Sequence, residues 1–145
     1  MRRKLPQYLF DIPENAISFL LARSSYDKRN LKPETSLSID VADAFRRHVM
    51  NGTYKGVFTK IANERVASKF LNGLLKAMGM ISGATDFIFT WETGSAWIEL
   101  KQPGKKLDPN QRLFKIWCDE AKVPCHCCAS VAEVENTLRG LGGLV

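Results

Sequence analysis

Two short stretches in the middle of the chain alternate apolar and other residues, and the turn-forming residues ETGS separate them. They span residues 86–91 (DFIFTW) and 96–101 (AWIELK). A period of two is typical of half-buried strands, so the pattern predicts an antiparallel hairpin. A turn centred on Thr93 and Gly94 pairs Phe87 with Leu100. This register leaves one face wholly apolar, formed by Phe87, Phe89, Trp91, Ala96, Ile98 and Leu100.

The opposite face of this hairpin carries three charged residues. The same register places Asp86 opposite Lys101 and leaves Glu99 on the diagonal from Asp86, roughly 7 to 8 Å away between backbone positions. Two carboxylates at that separation can share a cation, and oxygen ligands suit Mg²⁺ or Mn²⁺. Such a group is suited to metal-dependent phosphodiester hydrolysis assisted by Lys101. Spacing alone instead favours a cross-strand salt bridge between Asp86 and Lys101, with Glu99 on a solvated face.

Helical periodicity and capping residues predict further elements on both sides of the hairpin. A helix begins at Ser38, a strand covers residues 57–62, and a second helix covers about 65–78. After the hairpin come a helix over 109–122, with Asp108 as N-cap, a strand within VPCHCC, and a last helix capped by Ser130. At 145 residues the chain has room for one full core. The order of elements predicts one α/β domain with a mixed sheet.

Positive charge is concentrated in the first part of the chain. The net charge is +6, and residues 1–60 contain 11 basic and 6 acidic residues. A basic segment suits a polyanion such as nucleic acid, because it neutralises phosphates and releases counterions. The alternative interpretation is that these charges maintain solubility.

The remaining sequence signals concern location and cysteine chemistry. No apolar run has the length of a signal peptide or of a membrane span, so we expect a cytoplasmic protein with no membrane partner. Cys118, Cys125, Cys127 and Cys128 lie in one short region and are expected to be reduced thiols. A zinc site is a second hypothesis, but the usual C-x₂₋₄-C pairs are absent and Cys127 and Cys128 point to opposite faces of a strand. Small core-strand residues are the favoured interpretation.

Three segments together resemble a known nuclease family. KAMGMISGATDFIF, AWIELKQPGKKLDPNQ and VPCHCCASVAEVENTL resemble, in this order, the virus-type replication-repair nuclease (VRR-NUC) domain of the PD-(D/E)XK nuclease superfamily. The resemblance covers about residues 38–140. It implies a restriction-endonuclease-like fold, with a mixed central β-sheet flanked by helices, in a nuclease domain of residues 37–145 that follows a basic N-terminal extension of residues 1–36.

The resemblance also implies a set of site residues. The catalytic group corresponds to Asp86, Glu99, Lys101 and Gln111, and Thr85 stands where the family usually has proline. Asp108 and Gln111 also have capping-box spacing, so Gln111 has an alternative role at the start of its helix.

A Mg²⁺ or Mn²⁺ ion is implied as the cofactor, together with a further acidic ligand on the first long helix. Asp40 is the best match by distance, and Asp43 is a rival. The implied metal ligands are therefore Asp40, Asp86, Glu99 and the backbone carbonyl of Leu100.

DNA is the implied partner. The residues expected to contact it are Arg46, Arg47, Asn63, Arg65, Lys105 and Lys106, for which solvated surface charge is the alternative. Small members of the family that stand alone resemble homodimeric nucleases that cut branched DNA such as Holliday junctions, in a bacterial or phage-infected cell. Two other hypotheses are a DNA-binding module that keeps the fold but does not cleave, and a zinc-stabilised interaction protein.

Overall fold

A mixed four-stranded sheet forms the centre of the protein, as seen in a computed structural model that describes residues 6–9, 12, 14–25, 27–61 and 68–145. The strands are β1 (Gly56–Lys60), β2 (Phe87–Trp91), β3 (Gly94–Leu100) and β4 (Cys125–Cys128). They lie side by side in chain order; the first three are antiparallel, and β4 runs parallel to β3. The protein is therefore a mixed α/β structure in which helices flank the sheet, as the sequence predicts at this level.

The described residues also form five α-helices. They are α1 (Glu14–Leu20), α2 (Pro33–Asn51), α3 (Lys69–Ala77), α4 (Pro109–Glu120) and α5 (Val131–Leu141), and short 3₁₀ turns cover Gln7–Leu9 and Lys28–Asn30. Asp108 caps α4 and Ser130 caps α5, both as predicted. α3 begins after Ser68, whose hydroxyl accepts from the backbone N–H of Leu71, whereas the predicted start at Arg65 lies outside the described residues. Among the described residues no helix is both long enough and apolar enough to span a bilayer.

The register of the β2–β3 hairpin differs from the predicted one by two residues. Phe87 pairs with Ile98, not Leu100, and the turn consists of Glu92 and Thr93 alone. Two-residue loops match the twist of antiparallel strands. Because Gly94 has no side chain, the ring of Trp91 can lie against its backbone. A shift of two residues keeps every side chain on its face, so the predicted apolar face is confirmed although its pairs are not.

The main core lies between this apolar face and the helices α2 and α5. Phe45 of α2 is fully buried, and its ring centroid lies 4.5 Å from that of Phe89 and 5.3 Å from that of Tyr54. Val134 and Leu138 of α5 complete this layer. Burial of these large side chains fixes α2 and α5 against one side of the sheet.

α4 covers the other side of the sheet. Phe114 and Cys118 pack on Cys125 of β4 and on Trp97 of β3, and the rings of Trp97 and Phe114 lie 5.3 Å apart. The N-terminus of α4 consequently lies above the face of β3 that carries Glu99, because Trp97 and Glu99 alternate to the same side.

Residues before α2 pack on the same core. Leu9 and Ile17 are buried within it, and the Tyr8 hydroxyl lies 2.9 Å from the carbonyl oxygens of Val49 and Tyr54. α2 begins at Pro33, a residue favoured in the first helical turn, rather than at Ser38. The predicted boundary between residues 36 and 37 therefore falls within the first turn of α2.

Candidate active site

Asp86 and Glu99 lie next to each other at one end of the sheet. Asp86 immediately precedes β2, and continuing the observed register places it opposite Glu99 rather than opposite Lys101. Its Oδ2 accepts a hydrogen bond of 2.7 Å from the backbone N–H of Leu100, and its Oδ1 lies 3.5 Å from Nζ of Lys60. The two carboxylates are thus closer neighbours than the predicted diagonal.

Glu99 is the more buried of the two acids. Its side chain is 8% exposed, and its pKa is raised from 4.5 to about 8, chiefly by burial. The negative charge of Asp86 contributes to this rise, while the positive charge of Lys101 opposes it. A buried pair of carboxylates at neutral pH therefore takes up either a proton or a cation.

Lys101 lies on the same face as Glu99, as predicted. It is nearly buried, and its Nζ lies 4.0 Å from Oε1 of Glu99. Its backbone N–H donates to the carbonyl oxygen of Cys128 at 3.0 Å, which anchors it at the end of the sheet. The predicted salt bridge between Asp86 and Lys101 is replaced by two pairs, in which Lys60 faces Asp86 and Lys101 faces Glu99.

Gln111 completes the capping box of α4 and also contacts Glu99. Its backbone N–H donates to Oδ1 of Asp108, and its Oε1 accepts from the N–H of Asp108, both at 2.9 Å, so the capping box is complete. Its Nε2 also donates to Oε1 of Glu99 at 2.6 Å. The cap fixes the amide so that the donor faces the carboxylate.

The loop before β2 holds Asp86 close to the start of α4. Gly83 has a φ of +81°, and a Cβ added there would lie 2.3 Å from the carbonyl carbon of Asn110. Only glycine fits this combination of conformation and close approach. Thr85, in the usual proline position of the resembled family, is buried and donates to the carbonyl oxygen of Phe87 at 3.2 Å.

The two candidate acidic ligands on the first long helix have different surroundings. Asp43 pairs with Arg23 and Arg46, each at 3.0 Å, and Asp40 is half-buried about 100° around the helix from the core residue Val41. Within the residues that the structure describes, no three histidine, cysteine or acidic side chains are grouped to hold one metal ion. The predicted set of Asp40, Asp86 and Glu99 therefore stays a prediction.

Glu34 is the acid of α2 whose charge acts on Glu99, and the sequence prediction missed it. It lies seven residues before Val41, nearly two full turns, so it falls on the same stripe of the helix as Val41 and Phe45. Pro33 signals a helix start just before Glu34, and this signal places Glu34 in the first turn of α2.

The backbone of Leu100, whose carbonyl is a predicted metal ligand, lies beside Asp86. Because the N–H and C=O of one strand residue point to the same side, the carbonyl oxygen of Leu100 lies on the edge that faces Asp86, next to the N–H that donates to Asp86.

Cys127 is the residue of β4 that pairs with Glu99, and it is exposed. The other cysteines are buried, Cys118 and Cys125 between α4 and the sheet and Cys128 in the main core.

The predicted DNA-contacting residues differ in exposure. Arg47, Lys105 and Lys106 are exposed, and Arg46 is partly buried beside Asp43. Asn63 and Arg65 lie outside the described residues. Arg46 and Lys60 also border a groove of about 530 Å³ between α2 and the β1–β2 strands. Lys60, the last residue of β1, therefore joins this groove to Asp86.

No protein-family model matches the chain, and no curated protein matches its sequence. The site is accordingly defined by its own geometry: two adjacent carboxylates, a lysine and an amide at one end of a mixed sheet.

Proposed function

We propose that the protein is a Mg²⁺- or Mn²⁺-dependent DNA endonuclease with a restriction-endonuclease-like fold, similar to the VRR-NUC domain. One observation carries the proposal. The adjacent carboxylates of Asp86 and Glu99 share the end of the sheet with Lys101 and Gln111, the four residues that the motif resemblance selects.

The donors at this position fit a hard divalent cation. Mg²⁺ is commonly bound through one or two carboxylates and retains several waters. Asp86, Glu99 and the Leu100 carbonyl would hold it. Glu99, whose pKa is raised to about 8, needs a neighbouring positive charge to be ionised at neutral pH. When bound, such an ion polarises a phosphate and lowers the pKa of a coordinated water.

The side chains of the protein provide orientation and charge. Lys101 is held beside Glu99, where its ammonium group offsets negative charge that develops on a phosphate and orients an attacking water. Gln111 holds Oε1 of Glu99 through a hydrogen bond, so the carboxylate does not rotate freely. Glu34 adds negative charge on the α2 side and strengthens attraction for a cation.

DNA suits the basic groups that several elements of the protein carry. Lys60 lies beside Asp86, and Arg46 borders the groove next to Lys60. Arg47 is exposed on α2, and Lys105 and Lys106 are exposed on the loop after β3. Such cations suit contacts with a phosphate backbone. By resemblance the substrate is branched DNA such as a Holliday junction, and the active form is a homodimer.

The proposal is tested by incubating the protein with labelled four-way junction, flap and linear duplex, with Mg²⁺, with Mn²⁺ and with chelator. We expect metal-dependent products, and we expect Lys101→Ala to remove them. Lys55→Ala, which changes an exposed lysine at the start of β1, is the matched control and should cleave at the wild-type rate.

Two results would overturn the proposal. One is the absence of metal-dependent product from all three substrates, and the other is a folded Lys101→Ala variant that cleaves as fast as wild type. Binding of DNA without cleavage would identify the protein as a DNA-binding module, and stoichiometric zinc by elemental analysis would identify a zinc-stabilised protein.

A further inference from the structure

The groove of about 530 Å³ next to the carboxylate pair is separate from the candidate catalytic residues. The residues that line it come from the end of α1 and the segment after it, from α2, from β1 and from Phe87 of β2. Sites for small ligands usually have volumes of about 300–1,000 Å³ and a mostly apolar lining with a few polar groups. The groove therefore has the volume of a binding site for a group as large as one nucleotide.

Much of the lining is apolar. Leu20 is 71% exposed, and the ring of Phe58 is only half-buried, so both side chains are accessible. An unpaired base binds to proteins by stacking on aromatic side chains. The principal apolar lining residues are Leu20, Leu21, Ile39, Ala42, Phe58 and Phe87.

The groove also carries positive charge. Among its described lining residues three are basic and none is acidic. Two of them, Arg23 and Arg46, both bind Oδ1 of Asp43 at 3.0 Å, so one carboxylate faces two guanidinium groups. An arginine has five N–H donors, and a guanidinium that binds one carboxylate oxygen can therefore also bind a phosphate. Apolar lining together with an excess of positive charge is complementary to a nucleotide.

Lys60 is the third basic residue, and it connects the groove to the candidate active site. Its Nζ lies 5.5 Å from the centroid of the Phe87 ring, which lines the groove, and 3.5 Å from Oδ1 of Asp86. A phosphate bound by Lys60 would therefore lie beside Asp86 while the attached base lay in the groove.

We infer that this groove binds one unpaired nucleotide of the substrate DNA strand. The base packs on Phe58 and the aliphatic lining, and the phosphate is bound by Lys60 and Arg46. A base within a duplex is paired and stacked on its neighbours, so only a nucleotide that has left the stack can enter. The inference rests on the proposed function, and it narrows the substrate to DNA with an unpaired nucleotide beside the phosphate that is cut.

Binding of three labelled duplexes, measured by fluorescence anisotropy in chelator, tests the inference without requiring cleavage. All three contain the same nick. The first is fully paired, the second has one unpaired deoxyadenosine at the nick, and the third has an abasic sugar phosphate in its place. We expect the second duplex to bind at least about fivefold more tightly than the other two, because stacking of a base on protein side chains contributes at least this much.

Two substitutions that fill the groove should remove this preference. Thr35→Trp and Ser38→Trp each place a bulky ring in it from α2, Thr35 being exposed and Ser38 half-buried. The second and third duplexes should then differ in affinity by less than about twofold. Asn51→Trp is the matched control, since Asn51 is exposed on the same helix but does not line the groove, and it should keep the wild-type preference.

Equal affinity of wild type for the three duplexes, or no binding to any of them, would overturn the inference. A preference that survives in both filled variants, with their fold confirmed by circular dichroism, would place the base elsewhere and would also overturn it. Tight binding of the abasic duplex would show that the protein recognises a flexible backbone and not a base. The base preference without metal-dependent cleavage would leave the nucleotide site in place and overturn only the nuclease proposal, whereas cleavage without the preference would do the reverse.

Discussion

The side-chain amide of Gln111 joins the start of α4 to the buried carboxylate of Glu99. Its Oε1 accepts from the backbone N–H of Asp108 at 2.9 Å, and its Nε2 donates to Oε1 of Glu99 at 2.6 Å. When Glu99 is ionised this hydrogen bond goes to a charged group, which makes it one of the stronger kinds in proteins. The same residue thus stabilises the helix start and orients a candidate metal ligand.

Two substitutions separate these roles. Gln111→Ala and Asp108→Ala each remove part of the capping box, and both should lower the free energy of unfolding by about 1 kcal/mol. Only Gln111→Ala removes the bond to Glu99, so we expect its cleavage rate to fall about tenfold or more, while Asp108→Ala stays within a few-fold of wild type. Urea unfolding and cleavage of the preferred DNA substrate measure the two quantities. Equal loss of cleavage in both variants would contradict an orienting role for Gln111.

The faces of the hairpin were predictable from sequence, but its register was not. Alternation assigns Phe89 and Ile98 to the core because a shift of one residue would expose them. A shift of two residues leaves the faces unchanged, so alternation cannot exclude it. The close packing of Trp91 against Gly94 accompanies the two-residue turn, and sequence spacing does not reveal such a contact.

Site residues on the β3 strand were predictable from strand periodicity. The site residue on α2 was not, because its position depends on where that helix begins. Glu99 and Lys101 share a face because they are two apart in one strand. Glu34 was missed because α2 was expected to begin at Ser38, which excluded the first turn in which Glu34 lies. Family spacing then selected Asp40, which lies about 100° around the helix from Val41.

Glu34 is expected to matter more than Asp40 for metal-dependent cleavage. Glu34→Gln removes a negative charge that acts on Glu99, so more Mn²⁺ should be needed for half-maximal cleavage, by at least about fivefold. Asp40→Asn is the matched control on the same helix and should change this concentration less than about twofold. Metal titrations of cleavage, with melting temperatures recorded for both variants, test the prediction. A larger effect from Asp40→Asn would restore Asp40 as the helix-borne ligand.

Without metal, the protein should lose stability as pH rises towards 8. The pKa of Glu99 is raised to about 8 in the folded protein, chiefly by burial, from an ordinary value of 4.5. The folded state therefore binds this proton more tightly than the unfolded state does. The stabilisation that the bound proton contributes is complete below pH about 4.5 and is lost as pH rises through about 8. The loss is on the order of a few kcal/mol.

Glu99→Gln mimics the protonated acid and should show a flatter dependence of unfolding free energy on pH. Urea unfolding of both proteins in chelator, from pH 5 to pH 8.5, gives the comparison. Parallel curves for wild type and Glu99→Gln would show that Glu99 titrates normally. Addition of Mg²⁺ or Mn²⁺ at pH 8 should stabilise wild type and leave Glu99→Gln nearly unchanged.

Gly83 should be far less tolerant of substitution than another glycine with positive φ. Gly79 has a φ of +111° with nothing within 4 Å of an added Cβ, so Gly79→Ala should cost about 1 kcal/mol from backbone strain alone. Gly83→Ala adds a contact of 2.3 Å with the backbone of Asn110, and we expect a loss of about 2–4 kcal/mol. Relief of this contact must move the loop away from the start of α4, which separates Asp86 from Gln111. Cleavage by Gly83→Ala should therefore fall even at a temperature where the variant is fully folded, while Gly79→Ala cleaves normally. Equal stability and equal cleavage rates in the two variants would show that the close approach of the loop to α4 is unimportant.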